Sequence, residues 1–362
     1  MNMSNRLLMG SLAFLVCAAL SAHSFSSANA DSGGVQTSIS VDIVGNAFSR
    51  EKNSPASKLG VREAEVFFYS PIDHTFDGVL GIAAHQEGGV ALFEIHEATI
   101  GSTKLIPWSR FRIGQYFLGV GKLNSVHRHD WPFTSAPKVH EEFFGKEGVD
   151  DTGIEYSVLP PLPIYLDLTV GVTNGWKYGH VHNAGKEPKT PTHYLRLANF
   201  LELPLDGGLQ TGLNYLSRKD SEGTKTTLIG MDLTAKWREG KSVPFFFQGE
   251  VWQRDLKPEG AVLARSFGFY GFPRTNLMEG LDLGVRFDGY SILTLEDAAG
   301  RKLNNYEHSY VPTLTWKPSE FSTFRVSYQW NFERLGSRSK LKNSFLEMQT
   351  TFILGAHPAH EF

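Results

Sequence analysis

Two His-x-His pairs, His127/His129 and His180/His182, are the residues in this 362-residue chain whose spacing most invites chemistry. Neutral imidazole is a good ligand for Zn²⁺ and similar divalent ions, and a His-x-His pair offers two nitrogens from one short segment. The four form a candidate zinc site, with Asp130 or His193 as a further ligand or supporting partner. The plainer reading is that they are solvated loop histidines, or hydrogen-bonding anchors. His96 with Glu94 could do acid–base work, yet such a pair is more often a hydrogen-bonded lumen contact. No Gly-x-Ser-x-Gly nucleophile motif accompanies it. We expect no enzyme, assign no catalytic residue and require no cofactor.

The elements that must position these histidines begin with an export signal. Arg6, the short apolar run Leu7–Leu20 and the small residues of Ala28-Asn29-Ala30 read as a cleaved signal peptide over 1–30. The run falls short of the ~20 residues a membrane helix needs. Cys17, the only cysteine, leaves with it, which excludes disulfides, thiol catalysis and cysteine-based metal sites. Removing Arg6 from the 35 Lys and Arg, against 38 Asp and Glu, gives a net charge of −4. That balance argues against nucleic acid as a partner.

A mean hydropathy of −0.22 would suggest a soluble protein; periodicity points elsewhere. Phe324, Val326, Tyr328, Trp330 and Phe332 alternate with Arg325, Ser327, Gln329, Asn331 and Glu333. The same period of two recurs across 163–173, 228–238 and 280–290. The segments run to about ten residues, carry charges on the polar face, and have Trp237, Trp316 and Trp330 near the ends of the apolar face. A soluble sandwich wants shorter strands. A transmembrane antiparallel β-barrel over 31–362, all-β with about sixteen strands (roughly 14–18), fits better. Long outer loops are expected at 123–150 and 176–191, and the fifth strand at 110–122. The connections 87–88 and 272–279 fit poorly, one short for an outer loop and the other long for a periplasmic turn.

By phase, Arg112, Asp167, Arg196, Asp232, Lys236, Glu250, Asp282, Arg286 and Arg325 face the lumen, together with Arg238, Arg254 and Asp288. Both signs occur, so the pore-lining charges show no single-sign ladder. The block 123–150 either folds inward as a constriction, packed by Trp131, Phe133 and Pro137 and lined by Asp130, Lys138, Glu141 and Glu142, or forms a lid. Phe362 lies in phase with Leu346, Met348, Phe352 and Leu354, and resembles the terminal signal read by the barrel-assembly machinery.

Residues 110–145 also carry a pattern: Gly119-x-Gly121-x-Leu123-Asn124, then His127-x-His129-x-Trp131-x-Phe133, then Ala136-Pro137 and a closing Phe144-Gly145. With the ending GAHPAHEF, it resembles a family of outer-membrane porin-like proteins, distantly similar to phosphate-selective porins. Some members are labelled zinc-regulated or TonB-dependent outer-membrane receptors. Alternation beginning by about Ile39 leaves no room for the plug domain of a TonB-dependent transporter. The resemblance implies a diffusion channel in a Gram-negative-type outer membrane, passing small hydrophilic solutes or ions and linked to zinc or other divalent-metal uptake. The alternative is a closed barrel acting as a surface metal-binding or structural protein. Outer-membrane lipid is the surrounding partner, and a homotrimer is compatible with the sequence.

Overall fold

The alternation closes into one antiparallel barrel in the computed structural model, which describes residues 34–47, 59–87, 90–175, 188–240, 242–260, 263–294, 300, 305–335 and 338–355. The strands are β1 (Gln36–Ala47), β2 (Gly60–Pro71), β3 (Asp77–Glu87), β4 (Val90–Ser102), β5 (Ser109–Phe117), β6 (Asp150–Val158), β7 (Tyr165–Thr173) and β8 (Thr190–Leu203). Then follow β9 (Gly207–Lys219), β10 (Lys225–Glu239), β11 (Ser242–Lys257), β12 (Ala264–Met278), β13 (Leu281–Ile292), β14 (Asn305–Ser319), β15 (Ser322–Leu335) and β16 (Arg338–Gly355). Each pairs with its neighbours in sequence, and β1 pairs β16 from Ser38–Gly355 to Ala47–Leu346, completing the ring. The segment 1–30, His180, His182 and Phe362 lie outside the described residues.

Burial is inverted relative to a soluble protein. Along β14, Thr313 and Thr315 are buried while Leu314 and Trp316 are exposed; along β15, Arg325 and Ser327 are buried while Val326 and Trp330 are exposed. The exposed apolar face belongs against hydrocarbon, where a closed ladder is the way to satisfy backbone groups without water. At the end carrying the short turns, Trp316 stacks on Phe324 (ring centroids 5.2 Å) and Phe324 meets Phe352 at 5.9 Å. Trp237 meets Phe245 at 5.6 Å at the same rim, the position of an interfacial aromatic girdle.

Two expected boundaries move. β5 stops at Phe117 instead of 122, because Leu118 and Val120 turn into the lumen and are buried there. β12 continues to Met278, so the connection expected at 272–279 shrinks to a tight turn through Gly280 (φ 73°).

The β5–β6 connection, 118–149, folds into the lumen. Asn124 ties its two ends together, donating to the Leu118 carbonyl (2.9 Å) and accepting from the Val149 N–H (2.7 Å). Trp131 donates to the Val126 carbonyl at 2.9 Å, and a short helix α1 (Lys138–Phe144) follows. Trp131, Phe133, Phe143 and Phe144 pack with Tyr194, Leu216, Leu228, Trp252, Tyr270, Phe272 and Tyr290 of β8–β13 into an apolar core inside the barrel. Gly230 makes this possible, since a Cβ there would sit 2.2 Å from the Trp252 ring. His140 lies in this core, its Nδ1–H donating to the Gly145 carbonyl (3.1 Å) and its ring edge-on to Trp131 at 4.8 Å.

Two outcomes follow from this packing. Val285 sits about half-way along the lipid face of β13, so Val285→Arg should destabilise the barrel by about 2–4 kcal/mol in urea titrations of lipid-folded protein; unchanged stability would refute the assigned face. Burial pushes the His140 imidazole down to about 3, the Gly145 bond opposing and nearby Arg128 adding to it. A group whose folded pKa lies below its unfolded ~6.5 stabilises fully above 6.5 and loses that contribution as pH falls toward 3. Amide exchange of 128–146, corrected for intrinsic rate, should therefore accelerate between pH 7 and pH 5 in wild type. The acceleration should be smaller in His140→Gln; an equal response in both proteins would exonerate His140.

Candidate functional site

Opposite the apolar core, the loop meets β1–β4 through charge. Period two cannot supply this wall by itself, and two β-bulges do. In β2 the pairing slips between Asp42–Glu63 and Ile43–Val61, leaving Arg62 as the extra residue. In β4 it slips between Gly81–Glu97 and Ile82–Ile95, leaving His96. A bulge lets two consecutive side chains serve one face; here Arg62 with Glu63 and His96 with Glu97 all point inward.

Glu65, fully buried, is the hub. Its Oε1 lies 2.7 Å from Nδ1 of His96 and 3.2 Å from Nδ1 of His127, and its Oε2 lies 2.6 Å from Nδ1 of His129. Glu63 is 3.4 Å from His96, and Asp130 is 3.2 Å from Nε2 of His129. Phe67 and Phe117 press edge-on against the His127 ring at 4.9 and 4.8 Å. Burial alone would push His127 down, but Glu65 and Glu97 overcome it and raise the imidazole to about 10. His129 is likewise raised against burial by Asp130 and Glu65. Both loop histidines thus hold Nδ1 within hydrogen-bond reach of the Glu65 carboxylate. Arg62 completes the seam, donating to Asp42 (2.6 Å) and to the Thr134 carbonyl (2.6 Å).

The four histidines expected to bind zinc are not brought together as a set among the described residues. His127 and His129 come together with β2 and β4 carboxylates and His96; His180 and His182 fall outside the described residues. His193 stands on the outer face of β8, out of phase with inward Thr192 and Tyr194, and so away from the cluster. Three trios place their ligand atoms within 4.8 Å of one another: Glu65–His96–His127, Glu63–Glu65–His129 and His85–Glu94–His96. Of the wall partners, His96 was singled out in the sequence, but with Glu94 as its partner; Arg62, Glu63, Glu65 and Glu97 were missed, although adjacent polar residues Arg62-Glu63 and His96-Glu97 interrupt the alternation and mark the bulges.

The residues expected to line the pore divide into two groups. Arg112, Asp167 and Arg196 line a cavity beside β2–β8, together with Glu97, Arg110 and Glu155. Lys236 and Arg325 line a second beside β10–β15, with Arg238, Arg274 and Lys317. Lys122, Val126 and Asp130 of the loop border both. The others face inward but hold structure. Asp232 accepts from Arg196 (2.7 Å) and Asn214 (2.7 Å). Glu250 accepts the Leu123 N–H (2.7 Å), Trp252 Nε1 (2.7 Å) and the Tyr270 hydroxyl (3.0 Å). Asp282 pairs with Arg274 at 3.3 Å. Arg286 pairs with Asp288 (2.8 Å), lies over the Phe133 ring and donates to the Ser135 carbonyl. Arg254 donates to the Glu142 carbonyl, and Lys138 meets Glu141 and Glu307, each at 3.6 Å. The contacts of Glu250 with Leu123, Arg286 with Ser135, Arg254 with Glu142 and Lys138 with Glu307 tie the loop to the wall inside the lumen, which is the arrangement of a constriction and not of a lid.

No model of a known protein family matches the chain. An uncharacterized protein of Aquifex aeolicus (strain VF5) is 27% identical over an alignment spanning 83% of this chain and 69% of its own length. Among solved structures, a loop-deletion mutant of the outer-membrane protein OmpT of Vibrio cholerae aligns with TM-score 0.62 at 10% identity, covering 90% of this chain and all of its own. The anion-selective porin of Comamonas acidovorans aligns at 0.61 with 10% identity, covering 89% and 100%. The outer-membrane channel DcaP of Acinetobacter baumannii aligns at 0.58 with 9% identity, covering 89% and 96%. The chain has the closed sixteen-strand barrel of outer-membrane porins.

Proposed function

We propose that this protein is a passive outer-membrane channel for small hydrophilic solutes, constricted by its third outer loop, leaning toward anions and carrying out no catalysis. The observation that carries the reading is the sorting of charge beneath the loop. On the β10–β15 side, six bases (Lys122, Lys236, Arg238, Arg274, Lys317 and Arg325) border the path with a single carboxylate, Asp130. Charges lining a narrow passage with low-dielectric walls act through their local field, raising the concentration of ions of opposite sign. Similarity in fold to a porin described as anion-selective is in keeping with this.

The same lining fits free divalent cations poorly as cargo, so zinc uptake is the weaker form of the proposal. A closed barrel with a surface or structural role is the rival, favoured by the apolar core with which the loop occupies part of the lumen. Assembly as a homotrimer belongs to the proposal too: one similar barrel is described in a trimer form. The nine-residue strands β5, β6 and β7 are the shortest stretch of wall and a natural face for a neighbouring copy.

Planar-bilayer recording tests the channel. Folded wild type should give steady ohmic steps, and in a tenfold KCl gradient its reversal potential should lie on the chloride side. The double variant Lys236→Glu/Arg274→Glu should lower the chloride-to-potassium permeability ratio several-fold. Silence from well-folded protein would favour the closed barrel; conduction with a cation-side potential would remove the anion preference.

A further inference from the structure

We propose that Glu63, Glu65, His96, His127 and His129 form a divalent transition-metal site of the zinc class that clamps the constriction loop to the barrel wall. The channel reading does not depend on it, nor it on the channel reading.

Position carries the argument first. Two of the donors come from β2, one from the bulge of β4 and two from the loop, so a single ion here would join three separate pieces of chain. The trios Glu65–His96–His127 and Glu63–Glu65–His129 share Glu65, and within each the ligand atoms already lie within 4.8 Å of one another. Tetrahedral ligands about 2.1 Å from zinc are about 3.4 Å apart, so the donor atoms of either trio need only small side-chain adjustments to share one ion, with the remaining donors at hand to complete its shell. The donor chemistry narrows the ion: imidazole with carboxylate suits zinc and its neighbours, whereas calcium and magnesium call for all-oxygen shells.

The cluster also holds more nitrogen than a hydrogen-bonded latch requires. Oε1 of Glu65 is shared by two imidazoles, His96 and His127, whose ring centres are 6.2 Å apart. An approach exists, since His127 and Glu97 border the lumenal cavity beside β2–β8. The cluster is buried and central to the loop's anchorage, so the ion would act as a fastener and not as cargo.

The test uses the full-length barrel, refolded in detergent and stripped with EDTA, with folding confirmed by heat-modifiable gel mobility. Zinc chloride is titrated in calorimetrically, and cobalt(II) serves as a visible-absorption reporter of a nitrogen–oxygen site. The expected result is about one ion per barrel for wild type. Affinity should fall at least tenfold in Glu65→Gln, in His96→Gln and in His127→Ala/His129→Ala, and remain unchanged in His308→Ala, whose ring on β14 stacks on Phe332 of β15, outside the cluster. Folded wild type that takes up neither ion would overturn the proposal whatever the variants do. Full affinity in folded Glu65→Gln and His96→Gln would overturn it as well, by placing the ion elsewhere. Conductance of the stripped protein is measured separately, so failure of the metal site leaves the channel reading intact.

Discussion

Closure of β1 on β16 is the constraint from which the rest follows. Within hydrocarbon no water satisfies an exposed N–H or C=O, and each such group left open costs several kcal/mol. An open edge between Ser38–Ala47 and Leu346–Gly355 would expose a whole row of them. Once the ring is shut, the side-chain alternation has a single solution: apolar residues outward to lipid, polar residues inward. Asp42 on β1 consolidates the seam from inside, accepting from Gln349 (2.9 Å) and Thr351 (3.1 Å) of β16 and from Arg62 of β2.

A polar lumen raises a second difficulty, which is how a long loop stays inside it. Hydrophobic contact alone is non-directional and would allow the loop to slide. Charge alone would leave it half solvated, with each exposed ion pair contributing only about 0–1 kcal/mol. The loop uses both, on opposite walls. Trp131, Phe133, Phe143 and Phe144 dock against the aromatics of β8–β13, while His127, His129 and the Thr134 carbonyl meet Glu65 and Arg62 on β2. Gly121, with φ at 72°, turns the chain between them and donates its N–H to Asn214 at 2.8 Å.

How much of this was legible follows from what period two encodes. It reports which face a residue occupies, so the sixteen strands, the inverted burial and the inward direction of Asp232, Glu250 and Arg286 could be read directly. It says nothing of partners across the lumen. The same phase that suggested pore-lining roles for Asp232, Glu250, Asp282 and Arg286 is satisfied by residues that brace neighbours or the loop. The zinc reading paired histidines by closeness in sequence, whereas the barrel brings strands far apart in the chain to one point. Bulges break the code itself. Arg62-Glu63 and His96-Glu97 put two polar residues side by side, which strict alternation would turn toward lipid. An ionic side chain there is costly enough that the backbone slips instead.

The sorting of charge has a different origin, in the lengths of the side chains. Carboxylates such as Glu65, Asp232 and Glu250 are buried in the wall, where each is held by two or more partners drawn from imidazole, guanidinium, amide, hydroxyl, indole or backbone groups. A carboxylate has two compact acceptor oxygens and a short stem, so it serves as a junction close to the backbone. Lysine and arginine carry their charge on long stems and extend it toward water. On the β10–β15 side, Glu250 and Asp282 become joints while Lys236, Arg238 and Lys317 reach the path. The positive lining of the β10–β15 side then follows from stem length and hydrogen-bonding capacity, without any excess of bases in the chain as a whole.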